Sequence, residues 1–100
     1  MCSSDLPTAV FAASDVQALG VLEAARALGV DVPDQLSVIG FDDIEIASYV
    51  GLTTVRQRLF ESGRRGAELL LQALAGHPAP ARVETLPLDL VVRGTSRPPR

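Results

Sequence analysis

Two carboxylates stand side by side where an apolar run stops: Leu36-Ser37-Val38-Ile39-Gly40-Phe41 ends at Asp42 and Asp43. Adjacent acids could serve a hydrolase as an acid/base pair or metal clamp, or could accept hydrogen bonds from a small polar molecule. The catalytic option is the weakest. Neighbouring strand residues point to opposite faces unless the strand has ended, and no phosphate-binding loop, nucleophile motif or histidine accompanies the pair. Short β-branched runs ending in polar residues where a helix begins are how an α/β sheet presents ligand contacts at the carboxyl edges of its strands. The chain reads as a binding fold and not as an enzyme.

The residue inventory narrows the chemistry further. All nine basic residues are arginine. Without lysine, P-loop nucleotide hydrolysis, Schiff-base chemistry and phosphoacceptor receiver domains are excluded. One cysteine and one histidine build neither an internal disulfide nor a zinc site of the usual kind, so no metal or cofactor is expected. His77, in a loop flanked by proline, reads as exposed. The net charge of −3 argues against this segment being a phosphate-binding surface, and any contact with DNA would be made elsewhere. Charge is uneven: residues 1–50 carry net −7 and residues 51–100 net +4. At 100 residues and 47% hydrophobic content the chain is one small globular unit or a piece of a larger one. No stretch resembles a signal peptide or a membrane span.

The elements that must hold the acids follow from periodicity. Thr8 to Ala12 reads as a short buried strand, and Ser14 or Asp15 caps a helix running to about Leu28, where Gly29 ends it in a left-handed conformation. Ala18, Val21, Leu22, Ala25 and Leu28 form its core stripe. Leu36 to Phe41 is a central strand apolar on both alternations, as in a parallel strand covered on both faces. A short helix, Ile44 to Tyr49, and a strand, Thr53 to Arg56, complete a β-α-β-α-β order that implies a parallel sheet.

Leu59 to Ala75 is a helix with Phe60, Gly63, Ala67, Leu70 and Leu74 on one seam, and with Glu61–Arg65 and Arg64–Glu68 pairs on the outer side. Gly63 and Gly66 imply close packing that offsets their helix cost. Val83 to Leu86 and Leu88 to Val92 read as two strands bent at Pro87. The outer face of the first helix is oddly apolar or small at Val16, Leu19, Gly20, Ala24 and Ala27. It implies a second packing partner, either further chain or another subunit, or else an alanine-rich compositional bias.

Taken in order, Thr8-Ala9-Val10-Phe11-Ala12-Ala13-Ser14-Asp15, Ala18-Leu19-Gly20, Val32-Pro33-Asp34, Ser37 to Asp43, Leu52-Thr53-Thr54-Val55-Arg56-Gln57 and Gly63 resemble the C-terminal part of LacI/GalR-type transcription regulators. The resemblance covers nearly everything from Pro7 to about Thr95. It implies an α/β, doubly wound parallel sheet of the periplasmic binding protein-like type I fold, incomplete here as a C-terminal fragment. In that family two subdomains joined by crossing strands close on a small molecule, and a separate helix-turn-helix reads operator DNA.

The resemblance implies a division of the chain. Residues 1–6 would be a non-native or disordered leader, and residues 7–96 part of the effector-binding domain. Within it, residues 8–55 belong to the C-terminal subdomain, 56–90 to the hinge crossing and part of the N-terminal subdomain, and 91–96 to a returning strand. Residues 97–100 would be a disordered tail.

The resemblance also implies the site. Asp42 maps to the carboxylate that meets a sugar hydroxyl or base nitrogen, and Gln57 to a polar residue of the crossing strand that lines the cleft. Ser14 stands where sugar-binding members often carry asparagine. Asp15 and Asp43 read as helix caps. Arg56 and Arg58 would pair with acids across the hinge, and Arg58 replaces a proline common in the family. Val16, Leu19, Gly20, Ala27 and Tyr49 lie where the family dimerises. The implied function is sensing a sugar-like effector within a cytoplasmic, homodimeric repressor, with no membrane contact. The alternative is a periplasmic sugar-binding protein of an uptake system.

Overall fold

A computed structural model of the chain describes residues 7–77 and 83–99. Its element order is β1 (Ala9–Phe11), α1 (Asp15–Leu28), β2 (Ser37–Ile39), α2 (Glu45–Val50), β3 (Thr54–Arg56), α3 (Leu59–Leu74) and β4 (Asp89–Val91). The chain divides into two units, one of residues 1–56 and 89–100, the other of residues 57–88. The expectation for residues 1–6 lies outside the described residues.

In the first unit β1 and β2 pair in parallel, with Val10 opposite Val38, and parallel bridges join Ile39 to Thr53 and Asp42 to Arg56. The parallel reading therefore holds from β1 to the start of β3. It stops there, because β4 pairs antiparallel with β3, Val55 standing opposite Leu90.

The core is small: Ala12, Ala18, Val38, Ala47 and Leu52 are buried, with Val21, Leu22, Val32 and Leu36 packed against them. Ser14 caps α1 by accepting from the Gln17 amide, and Gly29 closes it at φ 72°. Leu28, the last residue of α1, departs from the expected stripe and is 79% exposed. The β1 expectation also needs correction: Ala9 and Phe11 are exposed, Val10 is half-buried, and Ala12 just beyond the strand joins the core.

The C-terminal segment is anchored, not a free tail, as far as Arg97. The Ser37 hydroxyl donates to the Arg97 carbonyl and accepts from its amide, and the Arg97 guanidinium reaches Asp34. Thr95 does more, filling a gap in the hydrogen-bond ladder. Its hydroxyl accepts from the Thr53 amide at 2.9 Å and donates to the Val38 carbonyl at 2.7 Å, while its own carbonyl accepts from the Val38 amide.

In the second unit α3 has no buried residue. Gly63 and Gly66 have open space where a Cβ would lie, so no close packing offsets them among the described residues. Arg64 pairs with Glu68 as expected, but Arg65 turns to Glu84 and Glu68 while Glu61 lies 3.6 Å from Arg58. Residues 83–86 form no strand. Glu84 is tied instead to the Arg65 guanidinium through both carboxylate oxygens.

Candidate functional site

Backbone geometry at Gly40 sets the site. A Cβ there would lie 2.2 Å from the Asp15 Oδ1 and 3.0 Å from Leu52, so only glycine lets β2 pass over the carboxylate beneath it. Asp15 is fully buried and its oxygens are occupied, Oδ1 by the Thr54 hydroxyl at 2.6 Å and Oδ2 by the Ile44 amide at 2.8 Å. Its amide donates to the Phe41 carbonyl. A buried acid satisfied in this way fixes four segments at once. Asp15 does not cap its own helix, since Ser14 does that; its carboxylate serves the amide that leads into α2.

Beyond Gly40 the chain turns through two residues with positive φ, Asp42 at 121° and Asp43 at 56°. Aspartate tolerates the left-handed region better than most residues, but a φ of 121° is sparsely populated and persists only where the surroundings hold it. Here the Asp42 amide donates to the Val55 carbonyl at 2.9 Å, and the Asp43 amide lies 3.4 Å from the Thr54 hydroxyl. On the strand side Phe41 stacks against Phe11, ring centroids 6.4 Å apart.

The Asp43 side chain makes no helix cap. Ile44 occupies the N-cap of α2 without a side-chain bond. Asp43 instead accepts from the Arg56 Nε at 2.8 Å on Oδ2 and faces the Arg93 Nη1 at 2.9 Å on Oδ1. The same Arg93 nitrogen donates to the Leu52 carbonyl. The Arg56 hydrogen bond, joined by Arg93 against the opposing effect of burial, holds the Asp43 carboxyl below the usual aspartate range. Arg56 thus pairs within its own unit, and Arg58 lies 3.6 Å from Glu61 within the other.

Ser14 and Asp42 stand at the same edge, just past the ends of the paired strands β1 and β2, and the Asp15–Phe41 backbone bond ties those ends together. Both are half-buried, and the Ser14 hydroxyl already serves the Gln17 amide at 3.2 Å. Gln57 is half-buried and belongs to the second unit. Of the face singled out on α1 and α2, Val16 and Tyr49 are 67% and 78% exposed, Gly20 and Ala27 are exposed, and Leu19 is half-buried. Sequence reasoning missed Arg93, Thr54 and Thr95. Thr54 meets Asp15 across 39 residues, and Arg93 and Thr95 meet Asp43 and Thr53 across still more, so a polar residue in a β-rich stretch gives no local sign of these partners. Among the described residues no group of three or more His, Cys, Asp or Glu side chains could hold a metal ion, and no helix is long and apolar enough to cross a membrane.

Residues 1–96 match the family model of the periplasmic binding protein-like domain, and the chain belongs to that family. The resemblance to LacI/GalR-type regulators is borne out by its relatives. It is 41% identical over 93 residues to the HTH-type transcriptional repressor CytR of Escherichia coli strain K12, covering 91% of this chain and 27% of that protein. To the HTH-type transcriptional regulator MalR of Streptomyces coelicolor it is 44% identical over 91 residues, covering 89% and 26%. The chain therefore spans about a quarter of the curated relatives it matches.

Among solved structures, the cellobiose complex of the transcriptional regulator CelR superposes with a TM-score of 0.83 at 35% identity, over 89% of this chain and 28% of that one. A dimeric Lac repressor with an 11-residue C-terminal deletion gives 0.84 at 34% identity, over 97% and 36%. The fold is thus the α/β periplasmic binding protein-like fold, and the chain corresponds to a part of such regulators.

Proposed function

We propose that this chain is the effector-sensing and dimerising part of a LacI-type repressor, binding a sugar or related metabolite and altering operator affinity through a helix-turn-helix carried elsewhere in the full-length protein. The observation that carries the reading is Asp42: a carboxylate at the carboxyl edge of a parallel sheet, in a turn whose backbone is held from β3. An ionised carboxylate only accepts, and its two oxygens can take paired sugar hydroxyls in charge-assisted bonds. Ser14 and Gln57 would supply further polar contacts. Residues 8–55 would form one wall of a cleft, with the crossing after Arg56 as its hinge. That role places the protein in the cytoplasm, and no catalysis is ascribed to it.

The direct test is calorimetric titration of the full-length protein with cellobiose and a panel of monosaccharides, disaccharides and nucleosides, repeated for Asp42→Asn. Binding by one class and at least a tenfold loss in the variant are expected; equal affinity in parent and variant refutes the role of Asp42. Operator affinity should shift with ligand by roughly 5- to 150-fold, the usual range of allosteric coupling.

Homodimerisation through Val16, Leu19, Gly20, Ala27 and Tyr49 is part of the same proposal. It is supported by the exposure of the large side chains of Val16 and Tyr49. This face also weighs against the uptake-protein alternative, since most such proteins are monomers. Val16→Glu should shift the sedimentation profile toward monomer.

A further inference from the structure

We propose that Asp43 is a positioning residue for Asp42, tying the turn at Gly40–Asp43 both to β3 and to the segment that follows β4. The proposal rests on the role of Asp42 put forward above. Unit 1 ends at Arg56 and resumes at Asp89, so β3 is where the chain leaves it and the segment through Arg93 is where it returns. One arginine from each of these segments takes one oxygen of the same carboxylate: Arg56 takes Oδ2, Arg93 takes Oδ1.

Neither arginine dangles. Arg56 lies in the β3–β4 ladder opposite Asp89, and the Arg93 guanidinium is oriented by the Leu52 carbonyl while its amide donates to the Thr53 hydroxyl. Asp43 is the neighbour of Asp42, which stands at φ 121°, and the two are the non-glycine residues with positive φ among the described residues. A conformation of that kind must be over-determined by what surrounds it. The amide bonds of Asp42 and Asp43 hold the turn to β3 through Val55 and Thr54, and the doubly paired carboxylate adds Arg56 of the same strand and Arg93 of the returning segment. The chain direction at Asp42 is then set jointly by β3 and by the segment through Arg93.

Amide hydrogen exchange in the full-length protein tests the clamp without any ligand. In Asp43→Asn, exchange at Asp42, Asp43 and Ile44 is expected to accelerate about tenfold, the equivalent of about 1.4 kcal/mol, while α1 keeps its protection. No acceleration overturns the proposal, and so does an equal acceleration across α1 and β2, which marks a merely structural residue. Should Asp43→Asn fail to fold, Arg56→Met and Arg93→Met each remove one arm and should each accelerate exchange at the turn; if neither does, the clamp is refuted. Titration of Asp43→Asn against the sugar and nucleoside panel separates the two readings. A loosened turn with unchanged ligand affinity refutes positioning and leaves Asp42 standing. A loosened turn in Asp43→Asn, with a parent that binds nothing on the panel, upholds the clamp and counts against the reading of Asp42.

Discussion

Helices α1 and α3 differ little in length, 14 and 16 residues, but they are held by opposite means. The first fully buries only two alanines and an aspartate, and that acid has a partner for each oxygen. The second displays Phe60, Leu70, Leu71 and Leu74 and buries nothing. Small residues and a satisfied carboxylate let α1 lie close against β2, where each bond is directional and costly to break. Large side chains on α3 would gain about 1.5–3 kcal/mol each from full burial, yet at 60–84% exposure among the described residues they gain only a minor part of it. The amphipathic pattern thus measures the need for a partner, and burial shows whether that need is met.

Gly40→Ala should break the α1 side of this contrast most severely. The new methyl collides with the Asp15 carboxylate, and a loss of about 3 kcal/mol is expected in urea unfolding. Thr95→Val comes next, at about 2 kcal/mol, because the Thr53 amide and the Val38 carbonyl lose a buried partner.

Acid titration probes Asp43, with a smaller effect because Arg56 is half exposed and screened by salt. Its folded pKa is lowered, so its stabilisation is complete above the ordinary aspartate value near pH 4 and is lost as pH falls through the lower folded value. Asp43→Asn should flatten that acid limb in a plot of unfolding free energy against pH.

Leu74→Gln sharpens the α3 side and should change the stability of this chain by no more than about 0.5 kcal/mol, the side chain being 75% exposed. A substantially larger loss in the full-length protein would show that the stripe finds its cover there.

Much of α1 was legible because its signals are local. Ser14 three residues before Gln17, the apolar spacing from Ala18 to Ala25 and the closing Gly29 all act within one or two turns. The carboxyl-edge position of Asp42 was equally readable, since the apolar run stops where the strand does. The tasks of Asp15 and Asp43 were not. Both look like caps from the sequence, and each is claimed by a residue far along the chain. Val83 to Leu86 carries strand-like residues, yet no strand forms, because β pairing requires a neighbour that local preference cannot supply.

By itself, then, the sequence determined the helices, the strand ends and the kind of group offered at the sheet edge, because periodicity and capping are properties of neighbouring residues. Which carboxylate would be buried, which would be clamped and which would remain at the edge was decided only by tertiary structure. That choice depends on Thr54, Arg56 and Arg93 arriving from other segments with donors in place, and on a glycine at position 40 leaving room for one of the acids beneath it.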